Sequence, residues 1–404
     1  MIYKKNKLTL DGFDISLLGK KYKTPLYCYS LNKIKSNINT LKNHFKKINP
    51  LICYAVKANT NLHILKEIKN NNLGADVVSI GELMKAIKAG INPQKIVFSG
   101  VGKTSDEIKY AIGKKILLIN AESKSEILEI EKIAKSKKKI VSVGLRLNPN
   151  TDAKTLSQIS TGKKENKFGV NQKIFLNLVD YLKRSKYLNL KCLSVHIGSQ
   201  IMSHRPYQKM LKVVDNIIRV SAHKFEYIDL GGGMGIDYNH TNLKLNLGKY
   251  SRSIEKFLKK NNSKIIFEPG RSVVGNSAIL ITKILYIKHG FKKDFVILDA
   301  GMNDLMRPAL YNTSHKILPT KKIKNKIKKN YEFVGPICES TDTFGTINKF
   351  QKLNEKDFLV ICDVGAYGTS LASNYNVRPK PVEILIKNSK ISIIRKRQKI
   401  SELI

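Results

Sequence analysis

The sequence has few cysteines and no apolar run long enough to cross a membrane. The five cysteines, at positions 28, 53, 192, 338 and 362, are odd in number and form no Cys-x-x-Cys pair. We therefore expect reduced thiols, as in a cytoplasmic protein. No apolar stretch approaches the roughly 20 residues of a transmembrane helix. Residues 1–18 also lack the apolar core and cleavage site of a signal peptide, so we expect no membrane partner.

Acidic residues are scarce, at 31 against 73 lysines and arginines, which gives a formal net charge of +42. An excess of this size can indicate a nucleic-acid-binding or membrane-surface protein. However, 63 of these cations are lysines scattered along the whole chain, and no zinc-finger spacing or RNA-binding aromatic motif accompanies them. We interpret the charge as a compositional bias towards Lys, Asn and Ile on a solvated surface. No specific nucleic-acid partner is expected.

Short apolar runs alternate with helical patterns between residues 50 and 270. Eight runs are present: 51–56, 75–80, 95–100, 116–120, 140–148, 191–198, 226–233 and 264–270. This alternation is typical of a (β/α)8 TIM-type barrel, in which the carboxyl ends of the strands carry the chemistry. With 404 residues, of which 42% are hydrophobic, the chain can also bury the core of a second domain.

The chain after about residue 274 has β-branched runs and turns with little helix between them. The sequence therefore predicts an α/β protein with a barrel at 30–273 and a separate, mostly antiparallel C-terminal β domain at 274–404. Residues 1–29 are expected to add strands to that β domain. The lysine-rich stretch 320–330 is predicted to be a solvated helix or loop, and the polar loop 149–170 has the composition of an active-site lid.

Lys57 differs from the other lysines because it ends the apolar run "LICYAV" of the first predicted barrel strand. A lysine desolvated at the mouth of a site loses its proton easily and can form a Schiff base with an aldehyde. On this stretch alone, a chance lysine at a strand end is the simpler interpretation. Polar residues end other barrel runs as well: Ser79, Arg146, His196, Glu268 and the glycines 231–233. This agreement makes Lys57 a candidate catalytic residue.

The glycine run in "DLGGGMGI" follows the seventh apolar run and is either a tight turn or a phosphate cradle. The hydroxyl of Ser199 is a second candidate phosphate donor. In "EPGR", after the eighth run, Glu268 can pair with a protonated ring nitrogen and Arg271 can bind a carboxylate. A phosphate cradle, a Schiff-base lysine and a carboxylate for a pyridinium together indicate pyridoxal 5'-phosphate. No metal is predicted.

A set of motifs resembles that of the diaminopimelate decarboxylases. In chain order these are "YAVKAN", "HIGSQI", "DLGGGMGIDY", "EPGRSVV", "MNDLMRPALY", "GPICESTDTFG" and "GAYGTSLASNYNVRPKPVEIL". The likeness covers about residues 24 to 385 and implies the same two-domain fold. Several of these motifs are shared with ornithine and arginine decarboxylases. A basic amino-acid decarboxylase acting on ornithine, lysine or arginine is therefore the alternative.

The resemblance implies roles for individual residues. Lys57 resembles the lysine that binds the cofactor covalently, His196 the residue stacked on its ring, and Cys338 the proton donor; these three are the predicted catalytic residues. The predicted cofactor contacts are Lys57, His196, Ser199, Gly232, Gly233, Glu268, Gly270, Arg271 and Tyr367. The predicted substrate ligands are Arg271, Arg307, Tyr311, Glu339 and Tyr367.

The resemblance implies decarboxylation of meso-2,6-diaminopimelate to L-lysine, the last step of lysine biosynthesis. Glu268 favours this over racemisation, because racemases of this barrel class place an arginine at the ring nitrogen. Meso-diaminopimelate has a second carboxylate beside its distal amine, so its pocket needs an anion clamp, supplied by "MRPALY", and an acid, supplied by "CES". The resemblance also implies a homodimer with shared active sites, in which Cys338 and Glu339 reach the cofactor of the partner subunit.

Overall fold

A computed structural model describes residues 1–323 and 327–404. The chain forms two compact units. The barrel unit comprises Ile38–Ile236 and Leu243–Ser272, and the β unit comprises Met1–Asn37, Asp237–Asn242 and Val273–Ile404. Each unit is therefore assembled from segments that are distant in the sequence.

The N-terminal residues begin the β unit with a small antiparallel sheet of β1 (Ile2–Lys4), β2 (Lys7–Leu10) and β3 (Phe13–Asp14). Helix α1 (Ile15–Tyr22) follows directly, because the Asp14 carboxylate accepts a hydrogen bond from Ser16 N at 2.9 Å and so caps its first turn. Strand β4 (Leu26–Ser30) follows, and then helix α2 (Leu31–His44), whose residues from Ile38 onward belong to the barrel unit.

Eight parallel strands close into a barrel in the order β10-β11-β12-β5-β6-β7-β8-β9. They are β5 (Leu51–Ala55), β6 (Gly74–Val77), β7 (Ile96–Phe98), β8 (Leu118–Ala121), β9 (Val141–Arg146), β10 (Leu188–Ser194), β11 (Tyr227–Asp229) and β12 (Lys264–Phe267). Each of the eight predicted apolar runs contains one of them or overlaps it. The predicted barrel is confirmed.

Helices follow most of the barrel strands, and all of those named next except α8 begin with a residue whose side chain caps the first turn. They are α3 (Leu62–Asn70), α4 (Ile80–Lys88), α5 (Ser105–Gly113), α6 (Lys124–Ser136), α7 (Gln172–Lys183), α8 (Arg205–Ser221) and α9 (Leu247–Leu258). Helix α5 begins with a capping box, in which Thr104 Oγ1 accepts from Glu107 N and the Glu107 carboxylate accepts from Thr104 N. Such caps end each loop at a defined residue and hold the rim of the barrel in place.

The β unit continues with α10 (Arg271–Val274), whose first two residues belong to the barrel unit, and then with strands and one short helix. These are β13 (Ala278–Lys288), β14 (Asp294–Leu298), α11 (Arg307–Tyr311), β15 (Ile317–Pro319), β16 (Lys328–Val334), β17 (Thr343–Gln351), β18 (Phe358–Ile361), β19 (Val382–Lys387) and β20 (Lys390–Arg395). The main sheet has the order β17-β16-β14-β13-β4-β19-β20, and β18 pairs with β13 and β15. Two of its pairings are parallel, β14 with β16 and β4 with β19, and the others are antiparallel. This confirms a mostly antiparallel β domain.

Part of the lysine-rich stretch 320–330 differs from its prediction. Residues 328–330 belong to strand β16, where Tyr331 and Phe333 supply the buried side chains that hold the strand. Residues 324–326 lie outside the described residues. Among the described residues, no helix combines the length and apolar character needed to cross a bilayer.

An aromatic cluster packs the outer layer of the barrel unit onto strand β12. The Phe45 ring lies 4.7 Å from Phe267 and 5.7 Å from Tyr250, and Tyr250 stacks on Tyr207 at 4.2 Å. All four side chains are at most 1% exposed. The cluster therefore fixes the strand that immediately precedes Glu268.

We predict that Phe45→Ala lowers the free energy of unfolding by about 3–5 kcal/mol, because a buried phenylalanine is replaced by a cavity. Urea unfolding followed by circular dichroism would measure this loss. Phe291→Ala is the matched control, since Phe291 is fully exposed and its removal should leave the midpoint unchanged. Equal midpoints for both variants would contradict the assignment of the cluster to the core.

Candidate active site

Lys57 stands at the rim of the barrel, in the single turn Val56–Ala58 that follows strand β5. Its Nζ lies 2.9 Å from Oδ2 of Asp76, and the lysine side chain is 41% exposed whereas the aspartate is completely buried. The carboxylate therefore holds the amine at the rim. Sequence reasoning missed Asp76, although a charged residue inside the buried strand "GADV" is a signal that could have revealed it.

Two further carboxylates lie in the barrel unit near this pair, Asp229 at the end of β11 and Glu268 directly after β12. Ser99 Oγ is 3.3 Å from Glu268 Oε1, and Asn120 Nδ2 donates to Asp229 Oδ2 at 3.0 Å. Burial raises the pKa of Glu268 well above its usual range, Asp229 and Asp76 raise it further, and Lys57 opposes them. Burial also raises the pKa of Asp229. One lysine thus opposes three buried acids, and the balance favours the protonated form of Glu268.

His196 has a defined tautomer. The backbone N–H of Gly232 donates to His196 Nδ1 at 3.1 Å, so the neutral ring carries its proton on Nε2. Desolvation lowers the pKa of His196 well below its ordinary value, and the cations Arg146 and Lys57 lower it further. The ring is therefore an uncharged flat surface at neutral pH.

The glycine loop 231–233 packs closely on its surroundings. A Cβ on Gly232 would lie 2.2 Å from the carbonyl oxygen of Glu268. Gly233 has φ +86°, and a Cβ there would lie 2.4 Å from the carbonyl oxygen of Gly198. Both positions therefore require glycine. Because the Gly232 N–H is bonded to His196, Gly233 is the stronger candidate of the two for donating to an anion.

Ser199, the second predicted phosphate donor, lies beside Arg271, a predicted ligand of both cofactor and substrate. Arg271 is 5% exposed, and its Nη2 lies 3.0 Å from Ser199 Oγ. The predicted lid loop 149–170 holds this serine, since Thr155 Oγ1 donates to Ser199 O at 2.7 Å and Ser199 N donates to Ile159 O at 2.9 Å. A serine hydroxyl that accepts from an arginine can still donate its own proton to an anion. Gly270 directly precedes Arg271 in the chain.

In the β unit, Arg307 begins the short helix α11 and is 3% exposed. Its guanidinium lies over the ring of Tyr238, 4.3 Å from the centroid, and its Nη1 is 2.6 Å from His315 Nε2. Tyr311 ends the same helix one turn later and is half-buried. Four residues apart, Arg307 and Tyr311 lie on one face of this helix.

Cys338 is exposed, whereas Cys28, Cys53, Cys192 and Cys362 are buried free thiols. Its Sγ lies 3.7 Å from Oδ1 of Asn376, and the neighbouring Glu339 accepts hydrogen bonds from the hydroxyls of Tyr375 and Thr341. Sequence reasoning missed Tyr375 and Asn376. Both lie in the quoted motif "SNYNV", but nothing in the sequence indicates that this segment contacts the Cys-Glu pair.

Tyr367 lies in the loop after β18 with φ +58°, a left-handed conformation that a tyrosine rarely adopts. The predicted residues are thus divided between the two units. The barrel unit contains Lys57, His196, Ser199, Gly232, Gly233, Glu268, Gly270 and Arg271, and the β unit contains Arg307, Tyr311, Cys338, Glu339 and Tyr367.

Comparison with known proteins agrees with this geometry. Residues 31–275 match the family model described as "Pyridoxal-dependent decarboxylase, pyridoxal binding domain". The chain is 44% identical over 395 residues to the diaminopimelate decarboxylase of Helicobacter pylori, covering 97% of both chains. It is 38% identical over 399 residues to that of Aquifex aeolicus, covering 98% of this chain and 94% of the relative.

A solved structure shows the same relationship. The crystal structure of diaminopimelate decarboxylase from Helicobacter pylori complexed with L-lysine superimposes with a TM-score of 0.91 at 42% identity, covering 96% of this chain and 98% of the other. Near-complete coverage in both directions means that the barrel and the β unit are both included in the likeness. The chain belongs to the diaminopimelate decarboxylase family of pyridoxal-dependent decarboxylases.

Proposed function

We propose that this chain decarboxylates meso-2,6-diaminopimelate to L-lysine with pyridoxal 5'-phosphate as its cofactor. The observation that carries the proposal is the rim of the barrel, where Lys57 Nζ lies 2.9 Å from a completely buried Asp76 and Glu268 keeps a raised pKa. The family and the full-length relatives support the same reaction. The protein is proposed to act in the cytoplasm without a specific nucleic-acid or membrane partner.

The residues present fit the cofactor. Two buried acceptor atoms at this end of the barrel, Asp76 Oδ1 and Asn120 Oδ1, have no hydrogen-bond partner within the described residues. Buried acceptors of this kind are costly unless a donor reaches them. The three buried acids lack a full complement of positive charge, and a protonated pyridine ring would supply both charge and a donor. Lys57 would hold the cofactor covalently, and Glu268 would face its ring nitrogen.

The barrel residues then have defined tasks. Pyridoxal phosphate, when bound, supplies an electron sink for the pair left at Cα when the carboxylate departs as CO2. Glu268, whose burial raises its pKa, would share its proton with the ring nitrogen and so keep the ring protonated. The neutral His196 ring, which has no proton on Nδ1, would present a flat uncharged face to the cofactor ring. Arg271, Ser199 and Gly233 would bind anionic groups of the cofactor and substrate.

The β-unit residues are proposed to act on the substrate. Arg307 and Tyr311 would bind the distal carboxylate, and Glu339 the distal ammonium. Cys338 Sγ–H would donate a proton to Cα after CO2 has left, and the thiolate would be reprotonated from solvent. Tyr367 would contact both cofactor and substrate. A substrate whose far end has both a carboxylate and an ammonium uses all of these residues. A substrate that ends in an ammonium alone would use only Glu339.

We further propose a two-fold homodimer in which Cys338 and Glu339 complete the active site of the partner subunit. The exposure of Cys338 among otherwise buried cysteines supports this proposal. Glu339 is likewise exposed, although Tyr375 and Thr341 hold its carboxylate. Such contacts would hold the Glu339 carboxylate in place for binding at the active site of a second chain. A symmetric interface would also exclude water from the reacting carbon.

Borohydride reduction of the holoenzyme is expected to attach the cofactor irreversibly to Lys57. Peptide mapping should find the label in the peptide that contains "YAVKANTN". Lys103 provides an internal control, since it is also paired with a carboxylate, Glu126 at 2.6 Å, but is only 1% exposed. A label on Lys103, or on any lysine other than Lys57, would contradict the assignment.

Arg307→Ala is expected to lower kcat/KM for meso-diaminopimelate by the equivalent of roughly 2–5 kcal/mol, because a desolvated ion pair is lost. Residual turnover of lysine or ornithine should change far less, since neither has a distal carboxylate. Arg219→Ala is the control, as Arg219 is exposed and bonded only locally, to Asn216. Equal losses for all substrates would favour the alternative of a basic amino-acid decarboxylase.

Mixing inactive Lys57→Ala protein with inactive Cys338→Ala protein is expected to restore activity. After random reassortment, about half of the dimers contain one chain of each variant. Each of these mixed dimers has one intact site out of two, so about a quarter of wild-type activity should return. Subunit exchange should be verified with differently tagged chains. If mixed dimers form without activity, the site is built within one chain and the shared-site proposal fails.

A further inference from the structure

His315 is a buried histidine whose two ring nitrogens both have partners in the β unit. Its Nδ1 lies 2.7 Å from the carbonyl oxygen of Cys362, and its Nε2 lies 2.6 Å from Arg307 Nη1. Since a carbonyl oxygen can only accept, Nδ1 carries the proton. Nε2 therefore presents a lone pair, and the arginine donates to it. The ring is neutral and fixed in one tautomer.

Tyr238 holds the same arginine from a different direction. The guanidinium lies over the Tyr238 ring at 4.3 Å, and that ring meets the His315 ring edge-on, with centroids 5.0 Å apart. The segment that carries Tyr238 is anchored by His240, whose Nε2 is 2.7 Å from Asp363 Oδ2. Arg307 is thus stacked on one face and hydrogen-bonded at one edge before any substrate is present.

We propose that His315 is a positioning residue that sets the plane of the Arg307 guanidinium for a carboxylate distal to the reacting carbon. The proposal rests on the role of Arg307 given above. Bidentate recognition of a carboxylate needs two parallel N–H donors in one plane. A guanidinium has five N–H donors, and the bond to His315 uses one of them. Fixing the plane in advance removes the rotational entropy that substrate binding would otherwise cost.

The ligand class follows from this geometry. A substrate with a carboxylate at its far end gains from an oriented guanidinium, whereas one that ends in an ammonium alone does not. His315 therefore acts on selectivity through Arg307 and touches neither the cofactor nor the reacting atoms. Its replacement should change KM for meso-diaminopimelate and leave kcat nearly unchanged.

Two substitutions separate the acceptor from the bulk of the ring. His315→Gln keeps an acceptor near the ε position, whereas His315→Asn keeps a donor near the δ position and loses the ε acceptor. We expect His315→Asn to raise KM for meso-diaminopimelate roughly tenfold, the usual effect of losing a hydrogen bond to a charged group. His315→Gln should stay within about threefold of wild type. His289→Gln is the control: His289 is an exposed histidine of the same unit that pairs with Asp294, and its replacement should leave KM unchanged.

A double-mutant cycle with Arg307→Ala tests whether His315 acts through the arginine. In the Arg307→Ala background, His315→Asn should add no further rise in KM. Additive effects, or equal KM values for His315→Asn and His315→Gln, would overturn the proposal. The unfolding midpoint and visible cofactor absorbance are measured in parallel. If both His315 variants lose thermal or chemical stability, or lose cofactor absorbance, together with the change in KM, His315 has a merely structural role and the positioning proposal is also overturned.

The same cycle distinguishes this proposal from the function on which it rests. If Arg307→Ala raises KM and His315→Asn does not, only the role of His315 is wrong. If Arg307→Ala itself leaves KM for meso-diaminopimelate unchanged, the arginine does not bind the distal carboxylate, and both proposals fail together.

Discussion

The pairing of the last barrel strand with the first determines the chemistry of the barrel unit. Strand β12 pairs with β5 through Ile266 with Leu51 and Phe267 with Ile52. This parallel register brings the residues after both strands to one rim, so that Glu268 and Lys57 follow neighbouring strands. The adjacent pairings add Ala55 with Asp76 and Asp229 with Ile266. Four ionisable side chains, those of Lys57, Asp76, Asp229 and Glu268, therefore lie near one another because β11, β12, β5 and β6 are consecutive in the closed barrel.

This meeting of charges is costly for the protein alone. Asp76 and Asp229 are completely buried and Glu268 nearly so; burial and both aspartates raise the pKa of Glu268, and Lys57 lowers it. Burial disfavours each negative charge, and the acids disfavour one another. A fold keeps such an arrangement where a ligand relieves it. The protonated ring nitrogen of the proposed cofactor would meet that need, and a carboxylate at position 268 suits such a ring better than an arginine would.

The sequence predicted the parts of the molecule that local patterns encode. Buried parallel strands appear as apolar runs, and polar residues that end them, such as Lys57 and Glu268, are visible as interruptions. Asp76 escaped because it lies inside a strand. Strands β17 and β20 are harder to see in the sequence because polar and apolar residues alternate or mix along them and part of each strand is exposed. The contact between Tyr238 and Arg307 depends on tertiary structure that no local pattern indicates.

The segment Asp237–Asn242 joins the two halves of the proposed chemistry through the chain itself. It follows the glycine loop 231–233 of the barrel unit, yet it belongs to the β unit, where Tyr238 stacks on Arg307 and His240 pairs with Asp363. The loop proposed to hold the cofactor phosphate and the ring that orients the substrate clamp are thus separated by only a few peptide bonds. A displacement of the glycine loop must be transmitted to Tyr238 or absorbed within that short connection. The loop and the ring that stacks on Arg307 are therefore neighbours along the chain although they belong to different units.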